Sequence, residues 1–262
     1  MQLHSSVERI GAVAVVRFDN PPSGLITSKG AAHLADAIET LFGDSSVRTL
    51  VITGAAPGVF IRHADVAQIV RAGEALAAER IGIEDFLSSP FVRLTRLCEM
   101  APIPVIAAID GVCMGGGFEI ALACTLRIAG STVERIGLPE IRVGIFPGSG
   151  GMQRLARLIG THRARAFILR GAVIGAEHAL SMGLVDEVAP SAFARAMELG
   201  NELVGRSPAA VRAIMELTRT GDYDAGPREE VLRFAALLKE YPDTLARLRA
   251  FVAGGEDLGG IP

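Results

Sequence analysis

The sequence predicts an α/β protein whose last quarter is wholly helical. Three observations carry this. Short apolar runs of strand length, such as residues 47–53 and 104–109, alternate with segments whose apolar residues recur at helical spacing. Glycine, 30 of 262 residues, collects at the junctions between them, where tight turns and close backbone approach need it. Strand patterns then cease near Pro190, which divides a mixed core, residues 1–190, from a helical region, residues 191–262.

Residues 7–19 alternate about Gly11 and read as a strand pair with a tight turn. Asn20-Pro21-Pro22-Ser23-Gly24 is a loop. Residues 28–42 put Ala31, Leu34, Ala35, Ile38 and Leu41 on one helical face, with Thr27 or Ser28 as cap. A buried strand, 47–53, leads into a Gly/Pro loop, 54–60. Helices follow at 64–72 and 84–100, with Pro90 at a first turn or a break. Residues 104–109 form a strand buried on both faces. Residues 111–117 are a Gly-rich turn, and 118–126, apolar all round, a buried helix. Next come a strand at 133–138, helices at 149–159, 163–170 and 176–182, and a strand at 184–188. The remainder gives helices at 191–205, 209–220, 228–239 and 243–252 and a Gly-rich tail, 254–262.

Composition excludes several classes. Half the residues are hydrophobic and 21% charged, so disorder over most of the length is excluded. A net charge of −3 and a pI of about 6.0 lack the cationic field of non-specific nucleic-acid binding. The most apolar stretch, 101–130, is broken by Asp110, Glu119 and Arg127, so no membrane span is expected. The first twenty residues lack a signal-peptide layout. Cys98, Cys113 and Cys124 are odd in number, form no CxxC and sit among apolar residues. They fit a reducing compartment rather than a disulfide framework or zinc site. The expectation is a cytoplasmic protein with no nucleic-acid or membrane partner.

Two segments carry chemistry. The first is Met114-Gly115-Gly116-Gly117 between strand and helix, with Glu119 on the first helical turn. Such a turn leaves backbone N–H groups free to face a developing negative charge. Glu119 stands where a core helix carries Leu or Ala; it either complements the helix N-terminus or serves a site. The second is Leu138-Pro139-Glu140, followed by Gly144-Ile145-Phe146-Pro147-Gly148-Ser149-Gly150-Gly151. Glu140 again lies among apolar residues; it either pairs with Arg135, Arg142 or Arg154, or joins Glu119 as an acid/base pair. Residues 148–151 read as a helix-entry turn. There is no GxxxxGK[ST], no GxGxxG, no GxSxG and no HExxH. His63 is the one histidine in a loop-to-helix turn beside these features, and no histidine spacing suggests a metal.

These segments together resemble the crotonase, or enoyl-CoA hydratase/isomerase, superfamily. The resemblance is strongest in Pro102-Ile103-Pro104-Val105-Ile106-Ala107-Ala108-Ile109-Asp110-Gly111, Met114-Gly115-Gly116-Gly117-Phe118-Glu119, Leu138-Pro139-Glu140, and Gly144 through Gly151 with Met152-Gln153-Arg154-Leu155. It covers roughly residues 7–255 and weakens after about 220. It implies a spiral of ββα turns with a C-terminal helical trimerisation region, and a homotrimer or dimer of trimers. It implies an acyl-CoA thioester as substrate and neither a cofactor nor a metal. The backbone N–H groups of Ala64 and Gly116 would hold the thioester oxygen; Glu119 would orient and deprotonate water and Glu140 would deliver a proton to Cα, or the two would share or exchange these roles. Gly115, Gly117, Arg62, His63 and Asp65 would border the substrate.

Having both glutamates favours a hydratase over an isomerase, which one acid would serve. A non-catalytic CoA-ester or RNA-binding relative is disfavoured by the same carboxylates and the acidic pI. A glycosidase also uses two carboxylates, but 0 Trp and 2 Tyr offer no sugar platform. The chain departs from the family pattern at Phe60-Ile61-Arg62-His63-Ala64-Asp65, where small residues are usual. It departs again in the loop 20–26 and in the Ala250-Phe251-Val252-Ala253-Gly254-Gly255 close, which lacks a Lys-Arg pair.

Overall fold

Two sheets divide the strands between them. A computed structural model describes residues 5–218, and helices expected at 228–239 and 243–252 and the Gly-rich tail lie outside them. The first sheet has the order β1 (Ser5–Ile10), β2 (Val13–Phe18), β3 (Thr49–Gly54), β5 (Val105–Ile109), β7 (Leu126–Gly130) and β10 (Glu187–Ala189). The β1–β2 hairpin is antiparallel and every later pairing is parallel. The second sheet has the order β4 (Gly58–Ile61), β6 (Gly111–Met114), β8 (Ile136–Gly137) and β9 (Val173–Ile174). Successive strand pairs β3/β4, β5/β6 and β7/β8 each send their first strand to the large sheet and their second to the small one. That repetition is the expected ββα spiral.

Helices follow the strand pairs. They are α1 (Ser28–Phe42), α2 (Val66–Ala77), α3 (Ile83–Leu87), α4 (Pro90–Glu99), α5 (Gly116–Ala123), α6 (Gly151–Ile159), α7 (Thr161–Leu169), α8 (Ala176–Ser181) and α9 (Ala192–Val204). The chain divides into compact units between Leu203 and Val204, so α9 closes the first unit. Asp110 holds it there, its carboxylate accepting from Ala192 N at 2.6 Å and Phe193 N at 2.8 Å. In the second unit α10 (Pro208–Leu217) starts at Ser207 with Pro208 in its first turn, the position where its missing N–H costs nothing. No helix among the described residues is long and apolar enough to cross a membrane.

The core explains the pattern. β3 and β5, flanked on both sides, are buried at almost every position, as interior parallel strands must be. α1 buries Ala31, Leu34, Ala35, Ile38 and Leu41 on one face, and Thr27 caps it by accepting from Gly30 N. Pro90 is a first-turn residue with Ser89 as cap, so the predicted helix 84–100 is two helices.

Other expectations are corrected. Residues 58–61 and 111–114 are strands, not loop and turn. Glycines there serve close approach between neighbouring strands: a Cβ on Gly111 would lie 1.9 Å from Gly58 C, and one on Gly54 1.9 Å from Val59 O. The buried helix ends at Ala123, and β7 occupies 126–130; its Arg127 bonds Asp186, Leu184 O and Cys124 O, which disguises a strand as a polar break. The strand expected at 133–138 shrinks to β8, and that at 184–188 falls at β10.

Candidate active site

The β6–α5 junction is built by three glycines with three different duties. Gly115 takes φ +50, a backbone that L side chains rarely adopt. A Cβ on Gly117 would stand 2.1 Å from Ile61 O, so this residue lets α5 lie against the end of β4. A Cβ on Gly116 would stand 3.3 Å from Ala64 Cβ and 3.5 Å from Ala64 N. The start of α5 and the β4–α2 connection therefore meet at Gly116 and Ala64.

Ala64 is fixed by its neighbours. Ile26 N donates to His63 O at 2.9 Å and Asp65 N donates to Ile26 O at 2.9 Å, a parallel bridge that brackets Ala64. Asp65 caps α2, its carboxylate accepting from Ala67 N at 3.0 Å. The N–H groups of Ala64 and Gly116 have no hydrogen-bond partner among the described residues. One belongs to the first turn of a helix, where unpaired donors and the helix dipole favour negative charge.

Glu119 sits one turn into α5, 4% exposed. Its Oε1 accepts from Ser149 N at 2.8 Å and Gly151 N at 2.9 Å. Burial pushes its pKa above the ordinary 4.5, while these N–H groups and the Arg154 charge oppose the rise. Residues 148–151, read from the sequence as a helix-entry turn, thus do two things: they open α6 and they cradle a carboxylate. Gly151 is essential to the second, since a Cβ there would lie 2.7 Å from Glu119 Cγ.

Glu140 opens a 3-10 turn, Glu140–Val143, directly after β8. Its Oε1 lies 3.3 Å from where a Gly115 Cβ would stand. Its Oε2 is buried with no hydrogen-bond partner. No ion pair to Arg135, Arg142 or Arg154 forms; Arg154 pairs with Glu99 at 2.8 Å. Burial, and secondarily the charge of Glu119, raise the Glu140 pKa to about 7. The Gly-rich turn thus brings together Ala64, Gly116, Glu119 and Glu140.

Arg62 and His63 lie at the edge of this cluster. His63 Nδ1 is 2.8 Å from Ala64 O, and its Cβ is 3.4 Å from the position of a Gly115 Cβ. Arg62 is exposed; its backbone N donates to Gly24 O and its O accepts from Met114 N, while no ion pair with a described residue engages its side chain. Sequence reasoning missed Thr95, Glu99 and the placement of Arg154. Thr95 Oγ1 donates to Ser149 O at 3.2 Å and Arg154 Nη1 to the same oxygen at 2.7 Å. No motif signals them, because they reach the site through a backbone oxygen. Among the described residues no His/Cys/Asp/Glu group could hold a metal.

The family model for enoyl-CoA hydratase/isomerase matches residues 8–246. The chain is 37% identical over 188 residues to the fatty acid oxidation complex subunit alpha of Idiomarina loihiensis. That alignment takes in 71% of this chain and 26% of the relative. It is 47% identical over 117 residues to the enoyl-CoA isomerase/hydratase fer4 of Mycosarcoma maydis, covering 44% of this chain and 43% of that one. The chain thus spans about a quarter and less than half of these two curated relatives. The solved enoyl-CoA hydratase from Bacillus anthracis superposes with a TM-score of 0.85 at 29% identity, over 96% of each chain. The chain belongs to the enoyl-CoA hydratase/isomerase family and has the crotonase fold.

Proposed function

We propose that this chain adds water across the double bond of a 2-enoyl-CoA thioester. One observation carries the reading: a buried carboxylate and a half-buried one, with unlike hydrogen bonding, flank the meeting point of Ala64 and Gly116, whose N–H groups have no partner among the described residues. The thioester oxygen sits between Ala64 N–H and Gly116 N–H. Glu119, its carboxylate oriented by the N–H groups of Ser149 and Gly151, takes a proton from water as the water oxygen bonds to Cβ. The double-bond electrons move onto the thioester oxygen as an enolate. Glu140, about half protonated at neutral pH, gives its proton to Cα as the enolate collapses, and the two glutamates exchange protons with solvent afterwards. Donors aimed at developing charge are commonly the largest catalytic contribution, about 10²–10³ in rate for one of them. The C-terminal region assembles the chain into a homotrimer or a dimer of trimers.

Glu140 is suited to an isomerase as well, since its partnerless Oε2 can shuttle a proton alone. Separate reactions of crotonyl-CoA and of a 3-enoyl-CoA in H₂¹⁸O distinguish the two readings. Hydration places ¹⁸O in a 3-hydroxyacyl-CoA product. Conversion of a 3-enoyl-CoA to its 2-enoyl isomer, with no ¹⁸O in any product, overturns the hydratase reading.

A further inference from the structure

We propose that Arg154 is a positioning residue for Glu119, acting through Ser149, with Thr95 sharing the task and Glu99 holding the guanidinium. This rests on the reading of Glu119 as the base. The two N–H groups on Glu119 Oε1, from Ser149 and Gly151, lie on either side of the Ser149 carbonyl. That carbonyl oxygen receives Arg154 Nη1 at 2.7 Å and Thr95 Oγ1 at 3.2 Å. Its peptide plane lies between the planes that carry the two N–H groups, so anchoring it restrains the loop that aims both. The other arm of the guanidinium, Nη2, donates to Glu99 Oε2 at 2.8 Å, and Arg157 braces Glu99 from outside at 3.2 Å. Gly150 makes room: it takes φ +92, and a Cβ there would stand 2.6 Å from Arg154 Nη1.

The arrangement is a poor device for stability alone. The Arg154 side chain is 11% exposed and its Nε is buried without a partner. Buried ion pairs contribute little net stability against an apolar replacement, and an unmade hydrogen bond costs more. What the guanidinium supplies is a fixed fork and a positive charge that opposes the burial of Glu119. The other ionisable groups about this cluster are Glu140 on its 3-10 turn, whose charge interacts with Glu119, Glu99 behind Arg154, and His63 beside Gly115.

The test follows the Glu119 carboxyl directly by ¹³C NMR, its signal assigned by its loss in Glu119→Gln. In Arg154→Met the titration midpoint rises by at least about one pH unit; in Arg154→Lys it rises less. With crotonyl-CoA, Arg154→Met lowers kcat about tenfold or more and leaves KM near wild type. Thr95→Val lowers kcat less, and Thr95→Ser restores it. An unchanged midpoint in Arg154→Met, or a loss confined to KM, overturns the proposal. Should Arg154→Met fail to fold, a wild-type midpoint and kcat in both Arg154→Lys and Thr95→Val overturn it. A wild-type protein that hydrates no enoyl-CoA refutes the proposed function, while the titration still decides the role of Arg154.

Discussion

Gly151 and Glu119 are matched: the glycine donates its N–H to Glu119 Oε1 at 2.9 Å and leaves the space in which its own Cβ would lie 2.7 Å from Glu119 Cγ. A buried carboxylate at this depth survives only because backbone donors come this close. The same loop opens α6, so the helix start and the carboxylate cradle are one construction.

Gly151→Ala is therefore expected to push the Glu119 carboxylate off its donors. kcat on crotonyl-CoA should fall by about 10² while far-UV circular dichroism stays that of the wild type. Wild-type kcat in a folded Gly151→Ala protein would show that Glu119 tolerates the displacement.

The pH dependence of kcat/KM follows from the two glutamates. Glu119 must be ionised to accept a proton, and burial raises it above 4.5, so the acidic limb lies above pH 4.5. Glu140 must be protonated to deliver one, so activity falls as pH rises through about 7. The limbs are apparent values of the coupled pair. Glu140→Gln should remove the alkaline limb from the residual rate, measured from pH 4.5 to 9 in steady state.

Stability should follow pH with a definite sign. Glu140 titrates near 4.5 when unfolded and near 7 when folded, so between those values the folded state binds more protons. Its contribution is complete below pH 4.5 and lost as pH rises through 7. Urea midpoints for wild type and Glu140→Gln should diverge from pH 5 to pH 7, the wild type losing ground. Parallel curves would contradict the raised pKa.

Gly117→Ala tests the close packing beneath α5. Its Cβ would stand 2.1 Å from Ile61 O, backbone that cannot move aside without disturbing Ala64 three residues on. A loss of about 1–3 kcal/mol is expected in chemical denaturation, with a larger loss of activity than that alone explains.

Much of the fold was legible because the strands and helices bury their faces in simple patterns. The α1 stripe and the all-apolar 104–109 run are examples. Gly54 and Gly111 misled, since close approach and turning call for the same residue and only the partner backbone tells them apart. Glu119 and Glu140 stood out as charges among apolar neighbours. The network behind them did not: Thr95 and Arg154, more than fifty residues apart, meet at the Ser149 oxygen, and Glu99 joins only through the other arm of Arg154. Arg127 shows the converse, an isolated charge in an apolar run whose partners lie at Leu184 and Asp186.

The most direct test of the account is the loss of conjugated-enone absorbance of crotonyl-CoA, followed for wild type, Glu119→Gln and Glu140→Gln. The account predicts rapid loss by the wild type with a 3-hydroxyacyl-CoA as product. Each substitution should lower that rate by at least about 10². A wild-type protein that binds CoA esters yet leaves crotonyl-CoA and longer 2-enoyl-CoAs unchanged would contradict it.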